Sequence, residues 1–232
     1  MSHRPAGPMR LGLTLRSVAL CPRDGYAAAK RTGERRARAG ERLPEGVSPY
    51  VLALVGGAAV MCLWLKVGAL GGLRDATSAG IDGAVVASAL VLGGLLSVAG
   101  QFLWGAAGPR LLLRLGGHAR GRDLRLAWGA SAFPLVGVLL LLPLDLVLVG
   151  PSVFAIDPLS DSIATAWAAL SIAVGVALAA WSLWLFLRGV EVASGLRLRR
   201  AAPAALLGTG GFALLVYAVA LLSSLAMSRT PS

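Results

Sequence analysis

The chain has 232 residues, of which 56% are hydrophobic and only 14% charged. A soluble domain carries about 25% charged residues, so this composition excludes an ordinary soluble fold and points to long apolar runs that each cross a bilayer. The net charge of +11 comes from 22 basic and 11 acidic residues. Because the arginines stand between apolar runs, they read as anchors that hold loops in the cytoplasm against anionic lipid headgroups, and not as a nucleic-acid surface.

Residues 1–48 form a basic tail with ten Lys or Arg and few large apolar residues. Such a segment cannot bury a core and is expected to be a disordered cytoplasmic tail, with Leu11, Leu13, Leu15 and Val18 as a weak surface-seeking patch. Cys21 stands in this tail and Cys62 in an apolar run, so the two cysteines provide neither a disulfide framework nor a metal-ligand spacing. No signal peptide is expected, since the apolar stretch before Cys21 is short and broken by Arg16.

A membrane domain follows over 49–228, read as an all-α polytopic bundle of five transmembrane helices, with a short tail at 229–232. Span one covers about 49–70, with Lys66 near its end and expected to snorkel to the interface. After a loop with Arg74, Asp75 and Asp82, span two covers about 83–107. A basic loop holds Arg110, Arg114, His118, Arg120, Arg122, Asp123 and Arg125. Span three covers about 126–149, with a kink expected at Pro134 and a helix break at Pro143. A loop with Asp157 and Asp161 leads to span four, about 163–187. Arg188, Glu191, Arg197, Arg199 and Arg200 then occupy a short hairpin loop, and span five covers about 202–227. Each run is long enough for ~30 Å of hydrocarbon.

Nineteen of the 22 basic residues fall in the tail and in the second and fourth loops. This alternation predicts a cytoplasmic amino terminus and an external carboxyl terminus. With Ala, Gly, Leu and Arg so abundant, the chain reads as bacterial and its membrane as the inner, cytoplasmic one. The tryptophans follow the same levels, with Trp104, Trp128, Trp181 and Trp184 toward the inner face and Trp64 and Trp167 toward the outer.

Within the spans, Ala89, Gly93, Ser97, Gln101 and Gly105 recur every four residues, as do Ser171, Gly175 and Ala179. Ala204 and Gly208 do the same in span five. Small residues at this spacing let helices pack closely, within one bundle or in a homo-oligomer, and Gln101 is placed to hydrogen-bond across such a contact or to line a solute path. Asp145 is the acid inside an apolar run. It lies ~30 Å along the helix from the inner end of span three, so it reads as interfacial or capping, with an ion or proton role as the alternative. Arg188 and Glu191 can pair if the helix continues that far. The arginines around them predict lipid anchoring or a docking surface for a cytoplasmic protein. No nucleophile–base spacing, metal motif or phosphate loop is present, so no catalytic residue, cofactor or metal is expected, and the protein reads as a non-enzyme. A faint echo links Leu115-x-Gly117 and Leu124-Arg125-Leu126 to Leu187-x-Gly189 and Leu196-Arg197-Leu198.

Three stretches of the second half are Leu115-Gly-Gly117 with Leu124-Arg-Leu-Ala-Trp-Gly-Ala-Ser-Ala-Phe-Pro134, the tryptophan-rich span four, and Gly189-Val-Glu-Val-Ala-Ser-Gly-Leu196 followed by arginines and Ala201-Ala202. Together, over about 85–226, they resemble the Yip domain family of Ypt/Rab-interacting membrane proteins in its bacterial branch. The resemblance implies a five-span, non-enzymatic integral membrane protein with a cytoplasmic amino terminus. In eukaryotic members it implies binding of prenylated Rab-type GTPases in vesicle traffic. The acidic and Gly-Tyr elements of that eukaryotic branch are missing from this chain. Gly189 and Glu191 lie nearest the family-marked positions.

Overall fold

The computed structural model describes residues 17–39, 48–70, 83–154 and 162–210, and these are helical with short connections and no strand. The elements are α1 (Pro22–Ala39), α2 (Pro49–Leu70), α3 (Gly83–Arg114), α4 (Gly121–Ser131), α5 (Val136–Leu148) and α6 (Ser162–Ser194). A final helical segment, α7, covers 198–210. Four stretches are long and apolar enough to cross a membrane: Pro49–Val67, Val86–Arg114, Gly121–Leu148 and Ser162–Ser194. The protein is therefore an all-helical, integral membrane bundle. Of the fifth expected span, residues up to Gly210 are helical. Its remainder lies outside the described residues, as do the loops of Arg74, Asp75 and Asp82 and of Asp157 and Asp161.

The third span is built from two helices. The bend lies where Phe133–Leu135 form a 3-10 turn carrying Pro134, at the position where the proline was expected to kink the chain. Leu135 N–H donates to Ala132 O at 3.0 Å, and Pro134 has no N–H to offer, so the Ser131 carbonyl loses both of its ordinary helical donors. Ser182 Oγ of α6 donates to that carbonyl at 2.7 Å. Pro143 behaves differently from expectation: α5 runs through it to Leu148.

Two helices exceed the bilayer. α3 has 32 residues and α6 has 33, or about 50 Å each, well over the ~30 Å of hydrocarbon. Both therefore protrude, and they do so at the arginine-rich end. There α6 continues as helix through Arg188 and Glu191, where a loop was expected, and the connection to α7 shrinks to 195–197. Each protruding helix closes on a glycine with positive φ, Gly116 at 82° and Gly195 at 71°. This is the left-handed stop that satisfies terminal carbonyls. Gly116 and Gly195 are thus the matching positions of the two hairpins; Gly117 and Gly189, paired by the sequence echo, are not equivalent, because Gly189 lies inside α6.

Small residues decide how the spans meet. A Cβ on Gly57 of α2 would lie 2.2 Å from Gly93 O, and one on Gly93 would lie 2.7 Å from Gly57 O. The two backbones are in direct contact, which only glycine permits. Gly175 of α6 receives Leu63 in the same way, 2.7 Å from Leu63 Cδ1. One core cluster, with Ala59, Cys62, Leu63, Ala132, Leu135 and Val138, fills the half of the bundle toward the kink. A second, with Trp104, Leu112, Leu124, Phe186, Val190 and Ala205, fills the arginine-rich half.

Part of the basic tail, expected to be disordered, is ordered against this core. α1 carries Tyr26, which is 3% exposed, and Val18 precedes it at 2%. Both pack on Ala127 and Ala130 of α4. Residues 1–16 and 40–47 lie outside the described residues.

Candidate functional site

The charged group that sequence reasoning assigned to the interface turns inward. Lys66, expected to snorkel, is 1% exposed, and Asp145 is fully buried. Lys66 Nζ pairs with Asp145 Oδ2 and donates to Ser171 Oγ at 3.2 Å. Trp167 Nε1–H donates to Asp145 Oδ1 at 3.0 Å. Three spans thus contribute to one hydrogen-bonded group: α2 through Lys66, α5 through Asp145, and α6 through Trp167 and Ser171. Cys62, one turn earlier on α2, is also buried. Asp145 does lie near the end of its helix, three residues from Leu148, as its distance along the chain implied. The depth is the one expected, but the side chain does not face the interface: packing rotates it into the bundle and a cation meets it there.

The signal for this pair was present. Lys66 lies 17 residues beyond Pro49, or about 26 Å along a helix, close to the ~30 Å depth of Asp145. Two opposite charges in apolar runs at one depth are costly alone and favourable together. Ser171, assigned to helix packing, is buried as expected for that role but also supplies an acceptor to Lys66.

Gln101 marks the opposite level. It is fully buried, and its Nε2 donates to Arg125 O at 2.7 Å and, more weakly, to Pro49 O at 3.5 Å. It ties α3 to the start of α4 and of α2, and does not line an open path. Along its stripe, Gly93 faces Gly57, Ser97 Oγ accepts from Trp128 Nε1 at 3.3 Å, and Gly105 makes room for the Arg125 side chain, since a Cβ there would lie 2.8 Å from Cγ. Ala89 and Ala179 pack at the edge of the kink-side core, and Gly175 is buried. Trp104, expected in an interfacial belt, is instead 4% exposed and edge-on to Phe186. Trp64, Trp181 and Trp184 remain exposed on the bundle surface.

The arginine-rich end is an ordered surface. His118 N–H donates to Ser194 O at 3.0 Å, and a Cβ on Gly117 would lie 2.7 Å from Leu196, so the two hairpin loops are clasped. Arg188 Nη1 pairs with Glu191 Oε2 at 2.8 Å and its guanidinium lies 5.7 Å from the Trp184 ring centroid. Arg110, Arg114, Arg120, Arg122, Arg197, Arg199 and Arg200 are exposed around this clasp. α1 crosses its side: Tyr26 Oη donates to Ala127 O at 3.3 Å, and Lys30 Nζ donates to Ala193 O at 3.4 Å. Ala193 carries one of the last carbonyls of α6, where a cation is favoured by the helix dipole. Gly189 leaves the space for Tyr26, since a Cβ there would lie 3.0 Å from the ring. Burial raises the pKa of the Tyr26 phenol, because the interior disfavours the phenolate.

Fold and sites together define a polytopic helical membrane protein with a closed intramembrane ion pair at one level and a clasped basic surface at the other. No protein-family model, curated protein or solved structure matches the chain.

Proposed function

We propose that the protein is a non-enzymatic membrane scaffold or organiser that binds protein or lipid through its cytoplasmic hairpin loops. The observation that carries this reading is the clasp of His118 on Ser194, which turns two basic loops into one ordered surface. An ordered surface loses little conformational entropy on binding. The burial of Gln101 also supports it, since a solute path would want that amide open to water. In this reading the arginine-rich end is cytoplasmic, the five-span chain lies in a bacterial inner membrane, and the carboxyl terminus is external. The family analogy is the Yip domain resemblance carried by Leu115–Pro134 and Gly189–Leu196, with Gly189 and Glu191 nearest the family-marked positions. No cofactor is required.

Mild-detergent pulldown of the wild type against Glu191→Gln and the double variant Arg197→Gln/Arg199→Gln tests the scaffold. Partners enriched by the wild type and weakened in the variants are expected. Recovery no better than background from the wild type removes the reading. A reporter fused to the carboxyl terminus tests the orientation, and cytoplasmic activity of that fusion contradicts five spans.

A second reading, a small-solute or ion transporter or channel subunit, rests on the Lys66–Asp145 pair, since ionisable residues inside membranes often mark ion paths. Uptake by reconstituted vesicles that is lost in Asp145→Asn supports it.

A further inference from the structure

Arg125 sits one turn into α4 and is half-buried. Its guanidinium carbon lies 5.5 Å from the centroid of the Phe102 ring. Tyr50 stacks on the same ring, with centroids 5.4 Å apart and planes 9° from parallel. Phe102 is 49% exposed and Tyr50 40%, and Val51, Leu54 and Leu103 around them are exposed too. In a membrane this face meets lipid and not water. Its depth is set by Gln101, whose amide reaches both the Arg125 and the Pro49 carbonyls. The first turns of α2 and α4 therefore share one level, where apolar run gives way to basic loop, and headgroup phosphates lie at such a level.

Among the described residues, Arg125 has no ion-pair partner. The ion pairs among the described residues are Lys66–Asp145, Arg122–Asp123 and Arg188–Glu191. Arg125 Nε is buried with no partner, as is Gln101 Oε1. Gly105 leaves room for the arginine: a Cβ there would lie 3.2 Å from Arg125 Nε. A guanidinium keeps its charge at any accessible pH, and its planar fork suits phosphate oxygens. The exposed loop arginines can be solvated; Arg125, stacked on a lipid-facing ring, needs an anion at the membrane edge. We propose that Arg125, with Phe102 and Tyr50, binds the phosphate of an anionic phospholipid headgroup. The aromatic pair stacks on the cation and lies beside the glycerol and upper acyl region, while Arg125 carries the phosphate. This site requires only that the bundle lie in a bilayer, so it stands apart from the scaffold reading.

Native mass spectrometry of the full-length protein tests it, with phosphatidylglycerol or phosphatidylcholine titrated into detergent. The wild type is expected to retain one phosphatidylglycerol under activation that strips phosphatidylcholine. Arg125→Gln should lower that retention about ten-fold, and Phe102→Leu, which leaves the charge in place, about three-fold. Arg23→Gln, at an exposed arginine of α1, should retain it fully, and millimolar inorganic phosphate should not displace it. Because Gln101 bonds to the Arg125 backbone, Arg125→Gln keeps that link. Should it still fail to fold, the Phe102→Leu result decides. Equal retention of both lipids by the wild type overturns the site. So does undiminished retention in the Arg125 and Phe102 variants, or an equal loss in the Arg23 control.

Discussion

Lys66 and Asp145 are 79 residues apart in the chain and form a closed ion pair between the first and third spans, completed by Trp167 and Ser171 of α6. Each charge would be prohibitive alone in an apolar bundle, and each is acceptable because the other is there. The pair therefore favours one rotation of α2 and α5 about their axes over the alternatives that leave either charge in lipid.

Removing one partner should do more harm than removing both. Lys66→Met is expected to cost about 3–5 kcal/mol, because Asp145 is left buried and unpaired. Lys66→Met/Asp145→Leu should recover most of that loss. Thermal unfolding in detergent measures both. A double variant no more stable than the single one would mean that the pair is not what couples these spans.

The docked amino-terminal helix should be released by changes at Tyr26. Tyr26→Phe removes the hydrogen bond to Ala127 and is expected to weaken docking by about 1 kcal/mol. Alkali should act on the wild type as well. Burial raises the phenol's pKa above its ordinary value of 10.0, so the neutral form is the docked one. Its contribution is complete below pH 10 and is lost as pH rises beyond it. Proteolysis after Arg23, Lys30 and Arg31 should accelerate above pH 10 in the wild type, and the Tyr26→Phe variant should show a smaller change.

The glycine contact between α2 and α3 should tolerate no side chain. Gly57→Leu places atoms where the Gly93 carbonyl stands, and overpacking of this kind costs about 1–3 kcal/mol or more. Ser97→Ala, which loses only the long bond from Trp128, should cost less than about 1 kcal/mol. Comparing the melting temperatures of the two variants checks the order.

The kink in the third span should depend on a residue of the fourth. Ser182→Ala leaves the Ser131 carbonyl without its donor and is expected to cost about 1–3 kcal/mol. Ser182→Thr, which keeps the hydroxyl, should cost less. Unfolding of both variants in detergent measures the difference, and equal losses would remove the assigned role.

The order and approximate positions of the first four spans, the bend at Pro134 and the concentration of arginine at one end were legible in the sequence. Hydropathy and charge are local sums along the chain, and a bilayer imposes its thickness on them directly. The inward turn of Lys66 and Asp145, the burial of Trp104, the docking of Tyr26 on Ala127 and the continuation of α6 past Arg188 depend on how each helix is rotated against its neighbours. That rotation is decided where Gly57 meets Gly93 and Gly175 meets Leu63, by contacts between residues far apart in the chain. A one-dimensional pattern placed Asp145 at the right depth; only the packing of three helices determined which way it faced.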